Sequence, residues 1–250
     1  MVGPSVIVSF TSHTKERLAN VPFFLYHSIF KYHYDYVKVV LTLYKDDVSN
    51  VPETLQAMID TGLVELIVAE KDLKCHLKYF YAMQKYRDIP IITIDDDSIY
   101  PKQMIPDLLG VSRSYPGVVI ARSARLIELN KSYKHWTVAV GGVEAARFNS
   151  SLINKVRSDL NPEGYGGVLY PADILGISDD MIPEIMEFPR ADDIYLTILE
   201  QRKGIRVLVP FYGYNKLDKS TRPVYSICTR SDNISMIDGL ITKYKKDFIL

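Results

Sequence analysis

Cysteine is scarce. Cys75 and Cys228 are the only two in 250 residues, far apart and without a CxxC spacing. That excludes a disulfide-stapled scaffold and a zinc or thioredoxin motif built on paired cysteines, and it fits a reducing compartment. Excess charge is missing too. Thirty Lys and Arg balance thirty Asp and Glu, so no uniform positive field collects phosphates along a nucleic-acid backbone. No apolar run approaches the ~20 residues of a membrane span. The opening Met-Val-Gly-Pro-Ser-Val-Ile-Val-Ser-Phe has no basic leader and reads as a first strand, not a signal peptide. The expectation is a cytoplasmic protein without a transmembrane segment. Contact with the inner face of a membrane stays open. Two nucleotide motifs are also absent: no Gly-Lys-Ser/Thr closes a P-loop, and no strand leads into the Rossmann glycine pattern.

What is present is ordinary in bulk: 47% apolar and 24% charged residues, the balance of a globular chain long enough to bury a sizeable core. Tyrosine stands out at 18 residues. Its flat apolar face and polar tip suit sugars and nucleobases, although most copies serve as half-buried filler. The lone Trp136 has core packing as its commoner fate.

Short apolar runs alternate with helical patterns through the first half. Strands are expected at 5–10, 37–44, 64–69, 89–94 and 117–121. Helices are expected at 18–30, from 53 to about 60, at 74–86 and at 104–114. Thr14 is a candidate N-cap ahead of Lys15-Glu16-Arg17. This rhythm indicates an α/β fold, a mostly parallel sheet with helices on both faces. After about Arg122 the rhythm breaks into turns, glycine pairs (Gly141-Gly142, Gly166-Gly167) and fragments. A helix at 191–203, a strand at 205–209 and a helix at 231–246 follow, with a polar loop at 210–225. One domain over 1–250 is expected, with an α/β half to 121 and an irregular half from 122.

The strongest chemical feature is Ile91-Ile92-Thr93-Ile94-Asp95-Asp96-Asp97-Ser98-Ile99-Tyr100-Pro101. Three adjacent carboxylates at the end of a buried strand repel one another, and a hard divalent cation relieves that. The end of such a strand is where open α/β sheets bind ligands. If the extended backbone continues, Asp95 and Asp97 share one face and Asp96 points away. Thr11, Ser12 and Arg17 face the same edge. The two hydroxyls suit base or ribose, and Arg17 suits a phosphate or a brace on an Asp. Arg122 and Arg125, after the fifth strand, serve either as sugar or phosphate contacts or as neutralisers of the triplet. Asp192-Asp193 opens a later helix, where an acidic residue caps the N-terminus.

A strand ending in Asp-x-Asp after a parallel α/β start resembles the GT-A glycosyltransferases, and in particular the bacterial family-2-like enzymes of capsule and lipopolysaccharide assembly. The likeness rests on five ordered segments over most of 5–205. They are Ser9-Phe10-Thr11-Ser12 with Arg17; Lys71-Asp72-Leu73 with Lys78-Tyr79; the Ile92–Asp97 strand with Tyr100-Pro101; Gly166–Pro171; and Ala191-Asp192-Asp193-Ile194-Tyr195-Leu196. Tyr195 departs from the Trp of many relatives.

The resemblance implies a GT-A-type fold with residues 1–121 as the nucleotide-sugar half and 122–250 as the acceptor and catalytic half. It implies a donor, most plausibly a UDP-sugar, and a glycan or lipid-linked glycan acceptor in cell-surface polysaccharide assembly. It implies Asp95 on the ribose, Asp97 on Mn2+ or Mg2+, and Asp72 and Lys78 near the uridine, with Asp96 unassigned within the triplet. Asp193 becomes the general base of an inverting transfer, and Asp192 a helix cap. Two other readings stand beside this one. A sugar nucleotidyltransferase would carry a glycine-rich loop after its first strand, where this chain has Thr11-Ser12-His13-Thr14. A non-catalytic glycan-binding subunit would have no need of both acidic clusters.

Overall fold

The fold was taken from a computed structural model, which describes residues 3–141, 147–211 and 231–249. Cys228, Gly142 and nearly all of the 210–225 loop lie outside them.

The first half folds as its apolar runs dictate. β1 (Val6–Thr11), β2 (Val37–Tyr44), β3 (Val64–Ala69) and β4 (Ile91–Thr93) pair in parallel in the order β3-β2-β1-β4. Beyond β4 the same sheet continues through β11 (Val168–Tyr170), β5 (Val118–Ala121), β12 (Arg206–Leu208) and β9 (Val156–Arg157). β11 runs antiparallel to both β4 and β5, and β9 antiparallel to β12. A second, antiparallel sheet orders β10 (Leu160–Pro162), β6 (Ala124–Leu126), β7 (Val138–Gly141) and β8 (Arg147–Phe148).

Alternation along each strand sends successive side chains into two separate cores. Val6, Val8 and Phe10 of β1 enter one, with Leu18, Val21 and Phe24 of α1 (Lys15–Leu25), Leu55 of α3 (Glu53–Asp60), and Ile105 and Leu108 of α5 (Met104–Ser114). A three-residue helix, α2 (Lys31–His33), falls between α1 and β2. Ile7 enters the other core, with Phe80 of α4 (Phe80–Lys85) and Ile185 of α6 (Ile182–Glu187). Ile194 and Ile198 of α7 (Asp192–Arg202) and Leu240 of α8 (Ser231–Lys243) join it there. Both faces of the sheet are thus covered, and the second core draws on residues from Ile7 to Phe248. No helix among the described residues is long and apolar enough to cross a membrane.

The register decides what meets at the edge. Ser9 lies opposite Thr93, Thr93 opposite Val168, and Val168 opposite Ala121. Two residues further in each chain direction, Thr11, Asp95, Gly166 and Ser123 therefore reach one rim. The expected helix over 74–86 divides there. Lys74–Lys78 is a 3-10 turn, and α4 begins only at Phe80. Lys74 has φ 53°, and the Asp72 carboxylate accepts from its backbone N–H at 3.1 Å. This constrained turn delivers Lys78 inward rather than onto a helix surface.

Candidate active site

β4 ends at Thr93 and Asp96-Asp97 form a turn, so regular strand alternation does not run through the triplet. Asp96 and Asp97 both approach Arg17, and Asp95 approaches Lys78. Asp96 is the most buried, its side chain 3% exposed. It accepts from Ser12 Oγ at 2.5 Å and from Arg17 Nε at 3.1 Å, and it pairs with Arg17 Nη2. Asp96, expected on the face opposite Asp95 and Asp97, shares Arg17 with Asp97 and anchors the turn. Asp97, 23% exposed, lies 3.7 Å from Arg17 Nη2. Asp95 accepts from Lys78 Nζ at 3.2 Å.

Thr14 caps α1, its hydroxyl accepting from the Arg17 backbone N–H at 3.4 Å. That fixes where Arg17 leaves the helix. Burial works against the Arg17 charge, and Asp96 more than offsets it. The Thr11 hydroxyl is turned aside and donates to the Thr42 carbonyl at 2.8 Å. Asp72 is engaged with Lys74, through the backbone N–H and the ammonium. Arg122 is half-buried, its backbone N–H on the Gly167 carbonyl at 3.2 Å and its charge felt by Asp107 of α5. Arg125 instead grips Glu163 at 2.7 Å in a network with Ser123. Trp136 is core, 2% exposed and edge-on to Tyr133.

The second acidic pair arrives from α7. Its N-cap is Ala191, and no side chain caps the helix. Asp192 therefore is not the cap the sequence suggested. It is buried and ion-paired to Lys78 Nζ at 2.5 Å. Asp193 accepts from the same ammonium at 3.4 Å and keeps 28% of its side chain open. Burial would raise the Asp192 carboxyl, but Lys78 and then His76 hold it below the usual carboxylate range. Asp193 moves the other way. Burial pushes it up against the pull of Lys78, and the charges of Asp192 and Asp95 add to the rise. One buried cation thus splits a carboxylate pair into an ionised member and a proton-accepting one.

Several contributors were not legible as site residues. Fully buried Tyr100 accepts from the Asp95 backbone N–H at 2.9 Å and donates to the Tyr165 carbonyl at 3.0 Å. It ties the carboxylate turn to the glycine loop. Gly167, at φ 91°, lets that loop turn into β11. His76 accepts from Tyr79 Oη at 2.7 Å through Nδ1, which leaves Nε2–H to donate to the Phe188 carbonyl at 3.0 Å. That bond fixes the approach to Asp192. The signal available for Tyr100 was its place in Asp-Asp-Asp-Ser-Ile-Tyr-Pro. His76 gave none beyond its neighbours.

No family model matches the chain, and no curated protein does. Solved structures do. Residues 1–349 of S. aureus TarS in complex with UDP-GlcNAc align with TM-score 0.54 at 14% identity, over 97% of this chain and 66% of that one. The mannosyltransferase PcManGT from Pyrobaculum calidifontis, in complex with GDP-Man and Mn2+, aligns with TM-score 0.52 at 10% identity, over 99% and 73%. GalNAc-T7 with UDP, GalNAc and Mn2+ gives 0.53 at 10%, over 83% and 42%. The fold is GT-A. The chain spans somewhat over half of TarS 1–349 in another alignment, at 58%. The expected fold class, a mainly parallel α/β sheet of GT-A type, agrees with these likenesses.

Proposed function

We propose that the protein is a metal-dependent glycosyltransferase. It moves a sugar from a nucleotide donor, UDP-linked, to a hydroxyl of a glycan or lipid-linked glycan acceptor in cell-surface polysaccharide assembly on the cytoplasmic side. Residues 1–121 form its donor half and 122–250 its acceptor half. One observation carries the reading. The Asp95–Asp97 turn and the Asp192-Asp193 pair, roughly a hundred residues apart in sequence, meet at the same sheet edge through one lysine.

The donor set fits a hard divalent cation held mostly by substrate. Among the described residues no three His, Cys, Asp or Glu side chains form a complete cage. Asp96 is buried against Arg17, while Asp97, 3.7 Å from the same guanidinium, and Asp95, paired with Lys78, keep 23% and 34% of their side chains exposed. A Mg2+ or Mn2+ ion commonly takes one or two carboxylates, with waters and substrate phosphates completing its shell. Asp97 would hold it, and the ion would offset charge developing on the diphosphate.

The remaining chemistry falls to the chain. Asp95 lines the donor side, Ser12 braces Asp96 behind it, and Arg17 presents a planar cation beside Asp97. The acceptor oxygen attacks the anomeric carbon as its proton passes to Asp193 Oδ. The bond from that carbon to the diphosphate oxygen breaks, and its electron pair leaves with the nucleotide. A single displacement of this kind inverts the anomeric centre.

The test is to incubate the protein with UDP-sugars, Mn2+ and glycan acceptors, then follow UDP release and the anomeric configuration of the product. Inverted product with UDP release supports the reading. Pyrophosphate release from a nucleoside triphosphate and a sugar phosphate replaces it with nucleotidyl transfer. Retained configuration removes Asp193 as base.

A further inference from the structure

Lys78 is the most enclosed charge of the site. Its side chain is 6% exposed, and its ammonium faces Asp95 at 3.2 Å, Asp192 at 2.5 Å and Asp193 at 3.4 Å. An ammonium has three N–H donors. Two of them go to Asp95 and Asp193, Asp192 adds an ion pair, and at 6% exposure little of the ammonium is open to a nucleotide. Gly164 closes the remaining side. A Cβ there would collide with Nζ and stand 2.9 Å from Asp193 Oδ1. The uridine contact implied by resemblance is thus directed elsewhere, into the junction between the donor turn and α7.

We propose that Lys78 is a positioning residue that locks Asp193 to the Asp95 turn, so that donor and base are held as one unit, and that it touches no substrate. The inference rests on the reading of Asp193 as general base. Three elements converge to make the lock. The strained turn after Asp72 aims Lys78 inward. The Glu163-Gly164-Tyr165 loop supplies the wall, itself tied to Asp95 through Tyr100. His76 and Cys75, on the same 3-10 turn as Lys78, bond the carbonyls of Phe188 and Pro189 just ahead of α7. The turn that carries Lys78 therefore also fixes where α7 begins. A loosened ammonium would leave both ends of the site folded but free to shift by fractions of an ångström, and a positioned base loses rate steeply on that scale.

The experiment compares UDP affinity with Mn2+, by calorimetry, against UDP release from the UDP-sugar that wild type turns over. Lys78→Met is expected to lower turnover by ~10²-fold while UDP affinity stays within about threefold. Combining it with Asp193→Asn should add little to the loss from Asp193→Asn alone, as residues acting as a unit do. Should Lys78→Met not fold, Gly164→Ala makes the same test with every charge retained. Its Cβ pushes the ammonium aside, with turnover expected to fall about tenfold and UDP affinity to hold. Loss of UDP affinity in step with turnover, in either folded variant, would make Lys78 a nucleotide contact and overturn the proposal. Unchanged turnover in the variant tested would overturn it as well. Asp193→Asn separates the two readings. Full turnover there removes the base assignment and this inference together. Collapse there, with full turnover in Lys78→Met or Gly164→Ala, removes only the positioning role.

Discussion

Arg17 and Lys78 pair with different carboxylates of the same acidic rim, and they differ in what else can reach them. Arg17 is 22% exposed and stands between a buried Asp96 and an open Asp97. Lys78 is 6% exposed and is surrounded by carboxylates from both halves of the chain. The planar fork of an arginine can keep one edge on Asp96 and offer another outward. The ammonium of Lys78 is enclosed and offers little surface outward. On the proposed function, the side of the rim at Arg17 is the one that receives an anionic diphosphate and its cation. The closed side is a frame that sets where Asp193 stands.

The sharpest way to break this division is at Asp193. Asp193→Asn keeps the shape and removes the proton acceptor, so transfer should fall by roughly 10²–10⁴-fold with UDP affinity intact. As the proposed base, Asp193 works ionised, and burial raises its carboxyl pKa. Turnover should therefore decline as pH falls through a value above the ~4 of an ordinary carboxylate, read from a pH–rate profile. The raised pKa also means that the folded state holds this proton more tightly than the unfolded chain does. Its stabilising contribution is present at low pH and lost as pH rises through the folded value. Asp193→Asn should accordingly melt no lower than wild type at pH 8, measured by calorimetry.

Next in size is Arg17→Ala. It leaves Asp96 buried without its main cation, a loss of about 2–3 kcal/mol in denaturant unfolding. A smaller loss would mean that Ser12 alone carries Asp96. Asp97→Asn comes third. It should leave unfolding stability within ~0.5 kcal/mol while abolishing a roughly tenfold gain in UDP affinity on adding Mn2+. Equal losses of stability at Asp96 and Asp97 would erase the contrast between anchor and open ligand. The smallest effect is expected at Tyr195→Phe. Tyr195 is fully buried, packs on His76 and donates to Glu184 at 2.8 Å. Its substitution should cost about 1 kcal/mol of stability and leave turnover unchanged.

The same asymmetry governs how much could be read from residues alone. β2, β3, α3 and α5 have the bounds expected of them, or nearly so, because their strands are mostly apolar and the helices are followed by stop signals such as Gly62 and Gly117. β11 was not expected as a strand. It is three residues long, enclosed by glycines and Pro171, and becomes a central strand only through its partners β4 and β5. The four-stranded second sheet is built from equally short pieces, too short for a period to show. In the site, Asp95–Asp97, Arg17 and Asp192-Asp193 are legible as residue types in pattern. Which acid each cation would choose is not, since it depends on β4 ending at Thr93 and on Lys74 turning the chain. The strand alternation on which the shared face of Asp95 and Asp97 was expected stops at Thr93.

The central claim is that this rim binds a nucleotide diphosphate together with a divalent cation. Calorimetric titration of UDP into the protein, with Mn2+ and then with EDTA, tests it most directly. The account predicts binding that tightens at least about tenfold with Mn2+ in wild type and in Asp193→Asn, and that loses the metal-dependent gain in Asp97→Asn. No binding of UDP with Mn2+, or equal affinity in Mn2+ and EDTA, would contradict it.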